Sequence, residues 1–146
     1  MPVSGAIKLL DVNVWLALVF SNHIHHSKAN AWMAQQNNNS CAFCRVTQMA
    51  LLRHLTNAKI MGTFVQSQIG AWQAFDVCAR DARATYVDEP IGIEAEFRNL
   101  SNNQSPSHAL WTDSYLAAFA TVADLHLVTF DKGLSRFQKL QLEILS

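Results

Sequence analysis

Short apolar runs alternate with longer amphipathic ones along most of this chain, and the two periods predict different elements. Residues 7–10 (Ile7-Lys8-Leu9-Leu10) are a compact apolar run of strand length. Residues 14–20 stay apolar at helical length, and residues 27–36 carry Ala29, Trp32 and Met33 at helical spacing. The polar stretch 35–40, with Asn37-Asn38-Asn39 inside it, ends that helix. Residues 41–46 predict a second strand, and Thr47 reads as the N-cap of a helix over 48–55, whose Leu51, Leu52 and Leu55 face a core. A long helix is predicted over 63–79, with Val65, Ile69, Trp72 and Phe75 along one side. Residues 84–87 form a third strand closed by Asp88-Glu89-Pro90, and helices over 91–100 and 112–123 flank a polar loop, 101–107. A fourth strand spans 125–129, Gly133 breaks a short turn, and 142–145 supply a last edge strand. Strands alternating with helices give an α/β class with a parallel sheet covered on both faces.

Composition narrows the class. The chain has 146 residues, half of them apolar, which is enough for one sizeable core, so a single domain over 1–146 is expected. Eleven basic and eleven acidic residues balance, so only a local patch can attract nucleic acid. No apolar run approaches the roughly 20 residues of a membrane span. Met1-Pro2-Val3-Ser4-Gly5-Ala6 lacks the basic and apolar regions of a signal peptide, which points to the cytoplasm. Cys41 and Cys44 form a Cys-x-x-Cys pattern, but odd spacing on a strand sends their side chains to opposite faces, so they cannot share a zinc. Both, with Cys78, read as ordinary thiols.

The chemistry lies in three separated aspartates. Asp11 and Asp131 each follow an apolar strand run, and Asp113 lies near the start of a predicted helix. In a parallel α/β sheet, ligands bind in the crevice beyond the carboxyl ends of the strands, which puts Asp11 and Asp131 on one rim within reach of Asp113. Carboxylates gathered on one rim repel one another unless protons or cations neutralise them, and a hard divalent cation prefers such oxygen ligands. Each has an ordinary alternative. Asp113 suits the helix dipole, Asp131 before Lys132-Gly133 suits a turn, and Asp11 is the hardest to dismiss because an acid ending a buried strand needs a partner.

Five segments carry a family resemblance. Leu9-Leu10-Asp11-Val12-Asn13-Val14, His25-His26, Cys44-Arg45-Val46-Thr47-Gln48, His108 with Thr112-Asp113-Ser114-Tyr115-Leu116-Ala117, and Thr129-Phe130-Asp131-Lys132-Gly133 resemble the PIN-domain ribonucleases, and most closely the VapC-type toxins of toxin–antitoxin pairs. The resemblance runs from about residue 7 to about residue 137. It implies a three-layer α/β domain and an endoribonuclease using Mg²⁺, with Mn²⁺ as a substitute. Asp11, Asp113 and Asp131 would be its metal ligands and catalytic carboxylates. Asn13, Thr47, Gln48, Thr112 and Thr129 would orient them. It also implies a homodimer, for which residues 12–20, Trp32 and Trp72 offer apolar surface, and a cognate antitoxin. Arg45, Arg53, Lys132 and Arg136 are the candidate RNA-phosphate contacts. His25 and His26 read as helix-start residues.

One departure stands out. Many PIN domains carry a glutamate at the start of the helix after the second strand, whereas residues 46–57 here contain no acid and Thr47-Gln48 stands in its place. Neutral ligands bind cations less tightly, so weak metal affinity is expected. The alternatives are a degenerate PIN module that binds RNA or a protein without cutting it, and a haloacid-dehalogenase-like phosphatase. The phosphatase would need a second aspartate where Asn13 stands.

Overall fold

A computed structural model describes residues 6–146; the reading of the first residues as lacking a leader falls outside the described residues for 1–5. Five strands form one sheet: β1 (Lys8–Leu10), β2 (Cys41–Phe43), β3 (Ala84–Tyr86), β4 (His126–Thr129) and β5 (Leu142–Ile144). Their order is β3-β2-β1-β4-β5, and every neighbouring pair is parallel. The helices are α1 (Val12–Val19), α2 (His26–Met33), α3 (Arg45–Leu55), α4 (Ala58–Met61), α5 (Gln68–Ala79), α6 (Ile93–Leu100) and α7 (Leu110–Ala123).

The pleat sorts the core into two layers. Leu10, Phe43 and Val128 face a cluster with Trp15, Leu51, Leu55 and Phe75 from α1, α3 and α5. Leu9, Ala42 and Leu127 face the other cluster, with Leu116 and Phe119 of α7 and Ile93 of α6. The sheet is therefore sandwiched, as parallel sheets are. Cys41 belongs to the first cluster and Cys44 to the second, so the expected divergence of their thiols holds. Among the described residues no helix is long and apolar enough to cross a membrane.

Two expected elements and several side-chain placements differ. The helix expected over 63–79 is broken. Asn57 caps α4 through its side chain, a 3₁₀ turn spans Gly62–Phe64, and Ser67 starts α5 by accepting the Gly70 N–H at 3.0 Å. Gly62 takes a left-handed φ of 58° there, a conformation glycine adopts without penalty. The second strand is shorter than expected because Cys44 already begins α3. Thr47 is accordingly not the N-cap. Its hydroxyl reaches back to accept the Cys44 N–H at 2.9 Å, satisfying one of the amides that a helix start leaves open. Trp32 is not free surface either. Its indole N–H donates to Glu143 at 2.9 Å, tying α2 to the edge strand β5. Nor do residues 12–20 form an outer patch, since Val14, Trp15, Leu16 and Ala17 are buried. Trp72, 48% exposed, does face outward, beside Ile69 on α5.

Candidate functional site

Strand order fixes where a site belongs. β1 lies between β2 and β4: the chain winds outward through β2 and β3, then crosses back to β4 and β5 on the other side of β1, and a crevice opens at that reversal beyond the carboxyl ends. Asp11 directly follows β1, and Asp131 comes two residues after the end of β4; the Leu10–Val128 register sets Asp11 beside Thr129, the residue that bridges the two acids. The Asp11 N–H extends the ladder to the Val128 carbonyl at 2.9 Å. Asp11 then caps α1, accepting the Val12 N–H at 2.8 Å.

A hydrogen-bonded frame holds these acids. The Thr129 hydroxyl donates to Asp11 Oδ2 at 2.8 Å and accepts the Asp131 N–H at 3.0 Å. Asn13 spans the same gap, its Nδ2 donating to Thr129 Oγ1 at 3.1 Å and its Oδ1 accepting the Phe130 N–H at 3.2 Å. Asp131 accepts the Gly133 N–H at 2.8 Å. Asp113 enters from the first turn of α7 and meets Arg136 Nη2 at 3.4 Å.

The electrostatics match a crowded carboxylate site. Burial pushes the Asp11 carboxyl above the usual range, the Thr129 hydroxyl and Val12 N–H draw it back, and the charges of Asp113 and Asp131 push it up again. Asp113 is also raised, by burial first, against the pull of Arg136 and with a further push from Asp131. Among the described residues Arg136 is the cation that pairs with this carboxylate group, and it compensates only in part.

These shifts make a stability prediction for the metal-free protein. Asp11 is harder to ionise folded than unfolded, so its ionisation subtracts stability. The loss is absent below the ordinary carboxylate value near 3.9 and complete above the raised folded value. Asp11→Asn is expected to melt higher than the parent at neutral pH, with the gap closing as pH falls toward about 4. A pH-independent gap would contradict this.

Among the described residues, no three His, Cys, Asp or Glu side chains converge tightly enough to enclose a metal ion by themselves. The donor set nevertheless fits a hard cation. All three groups offer carboxylate oxygens, two are raised by burial with mutual repulsion adding to it, and Asp113 already recruits a cation from Arg136.

The remaining sequence candidates divide. Gln48 is buried and takes a hydrogen bond from Arg45, whose guanidinium lies over the Tyr86 ring at 5.4 Å. Lys132 follows Asp131 directly on the rim. Arg53 does not belong there. Arg45 starts α3 at the carboxyl end of β2, so Arg53, eight residues on, lies about 12 Å along the helix axis. It lines a groove with Thr56, Gln68 and Trp72 instead. Thr112 is exposed, and among the described residues its hydroxyl bonds none of the three carboxylates. Thr47 is used up by its backbone cap. Sequence reading missed the Arg136–Asp113 pair and the cap at Asp11. An acid followed by an apolar helical run was a usable N-cap signal for Asp11, whereas the Arg136 pair spans 23 residues and left no local trace. A groove of about 730 Å³ between α6 and the start of α7 holds none of the three aspartates, so the chemistry points to the rim.

Comparison with known proteins identifies the fold. Residues 8–140 match the family described as PIN domain. The chain is 38% identical over 143 residues to Ribonuclease VapC41 of Mycobacterium tuberculosis, covering 94% of this chain and 98% of the relative. Its fold is similar to VapC20 of M. tuberculosis, described as a Sarcin-Ricin loop cleaving toxin, with TM-score 0.68, 12% identity and coverage of 92% and 97%. It is also similar to a toxin–antitoxin complex from Klebsiella pneumoniae, with TM-score 0.59, 15% identity and coverage of 91% and 94%.

Proposed function

This chain belongs to the PIN domain family, and from that premise we propose that it is a Mg²⁺-dependent endoribonuclease, the toxin of a type II toxin–antitoxin pair. The observation that carries the reading is the frame around Thr129, which aligns Asp11 and Asp131 across two neighbouring strands while α7 brings Asp113 to them. The curated relative named a ribonuclease supports the chemistry, and the toxin–antitoxin fold neighbour supports an antitoxin as partner.

Asp11, Asp113 and Asp131 would hold the metal. When bound, Mg²⁺ supplies a polarised phosphate oxygen and a water acidified toward hydroxide. The chain's own groups do the rest. The Thr129 hydroxyl and Val12 N–H each hold one oxygen of Asp11 and so orient its carboxylate. Asp131, with one oxygen held by the Gly133 N–H, would orient the attacking water and take its proton. Arg136 partly offsets the charge of Asp113 before substrate arrives, and a phosphodiester entering the cleft would offer its guanidinium a second anion. Lys132 adds positive charge on the same rim.

The missing family glutamate bears on metal affinity. Thr47 is committed to its cap, so the position to test is Gln48. Gln48→Glu adds the absent negative charge beside Arg45, and calorimetric titration is expected to show tighter Mn²⁺ binding than in the parent. Equal affinity would mean that this side chain does not serve the site. The reading as a whole is tested by incubating purified protein with mixed cellular RNA with and without Mg²⁺. A non-catalytic PIN module would bind RNA and leave it intact under both conditions.

A further inference from the structure

We propose that His25 and Phe130 form a stacking shelf for one unpaired nucleobase beside the carboxylate rim. This rests on the reading of RNA as the substrate. The imidazole of His25 lies flat on the Phe130 ring, with centroids 4.4 Å apart and planes 8° from parallel. Phe130 stands between Thr129 and Asp131, and its N–H is held by Asn13 Oδ1, so the shelf is built into the frame that aligns the carboxylates.

The loop from α1 to α2 presents the outer ring. His26 Nδ1 is 2.7 Å from the Ala17 carbonyl, anchoring the loop to α1. The His25 N–H donates to His23 Nδ1 at 3.0 Å, and the His23 ring stands tilted beside it at 5.7 Å. His25 and Phe130 are each only half-buried, and Ile24 next to them is 87% exposed. Among the described residues neither ring nitrogen of His25 is hydrogen-bonded, so its edge is free for a base. A cover for Phe130 alone needs no such polar edge, and an aliphatic residue would serve. A flat imidazole stacked on a phenyl ring suits an unstacked base, whose face such rings accept and whose edge the free nitrogens can reach. Bases inside a duplex cannot reach the shelf, so it would select single-stranded or looped RNA.

Stacking of one base on an aromatic side chain corresponds to about five- to 150-fold in affinity. The experiment measures binding of a short mixed-sequence single-stranded RNA, and of an abasic strand with the same sugar-phosphate backbone, with Ca²⁺ in place of Mg²⁺. The parent is expected to favour the RNA by a factor in that range. His25→Ala is expected to erase the preference while binding the abasic strand like the parent, and His25→Trp to restore it. Unchanged preference in His25→Ala, or equal loss on both strands, overturns the shelf. Loss of antitoxin binding by His25→Ala with RNA preference intact also overturns it, and assigns the surface to a protein partner. If the parent cleaves RNA with Mg²⁺ and His25→Ala keeps the preference, the shelf alone falls. If the parent neither binds nor cleaves RNA, the ribonuclease reading falls with it.

Discussion

Asp113→Asn is expected to reduce RNA cleavage by orders of magnitude while the melting temperature holds or rises. Asparagine keeps the size and one acceptor oxygen of aspartate but loses the charge that would bind Mg²⁺. Burial raises the Asp113 carboxyl more than Arg136 lowers it, so the ionised side chain is a net strain on the metal-free fold. Removing its charge also relieves repulsion with Asp11 and Asp131. If Asp113 served only the dipole of α7, the pattern would reverse. Cleavage would survive, and stability would fall by about 0.3–1 kcal/mol. Activity and melting measured on the same preparation therefore separate the two roles. Asp11→Asn should lose cleavage as fully. Asp131→Asn should lose less, because its part is to position water more than to hold the ion.

Thr129→Val is the second large effect, and it acts on both activity and stability. Valine fills the same volume, so no cavity opens, but three partners lose the hydroxyl: Asp11 Oδ2, Asn13 Nδ2 and the Asp131 N–H. Thr129 is fully buried, so these groups are poorly served by water. A stability loss of about 1–3 kcal/mol follows from leaving buried polar groups unpaired. Cleavage is expected to fall about 10- to 100-fold, as when a group that orients a metal ligand is removed. The loss should appear in kcat more than in KM, because Thr129 touches carboxylates and not RNA. Thr129→Ser keeps the hydroxyl and is expected to recover most of the activity. Failure of serine to rescue would mean that the methyl group, and hence packing, was the contribution.

Local pattern carried the sheet and much of the site. All five strands lie where short runs of strand length placed them; β1, β2 and β4 are almost wholly buried, while the edge strands β3 and β5 are only partly so. The rim placement of Asp11 and Asp131 followed from those strands alone. The break after Phe64 escaped detection because Val65, Ile69, Trp72 and Phe75 keep helical spacing straight through it, and only the Ser67 cap marks the new start. Thr47 has the side chain of an N-cap residue but stands at the third helical position and caps backwards, taking the Cys44 N–H. Trp32, Arg53 and Arg136 depend on partners or directions set by the folded chain. Trp32 meets Glu143 across 111 residues, and Arg53 is carried off the rim by the axis of α3. Pairings of that kind are made by packing and leave no spacing signal.

The central claim is that the carboxylate rim cleaves RNA through a bound divalent cation. The direct measurement is cleavage of mixed cellular RNA by the purified protein in EDTA, and then after addition of Mg²⁺ or Mn²⁺ in excess. The account predicts intact RNA in EDTA and discrete fragments once the metal is restored. Fragments that persist undiminished in EDTA, or RNA that stays intact with either metal, would contradict it.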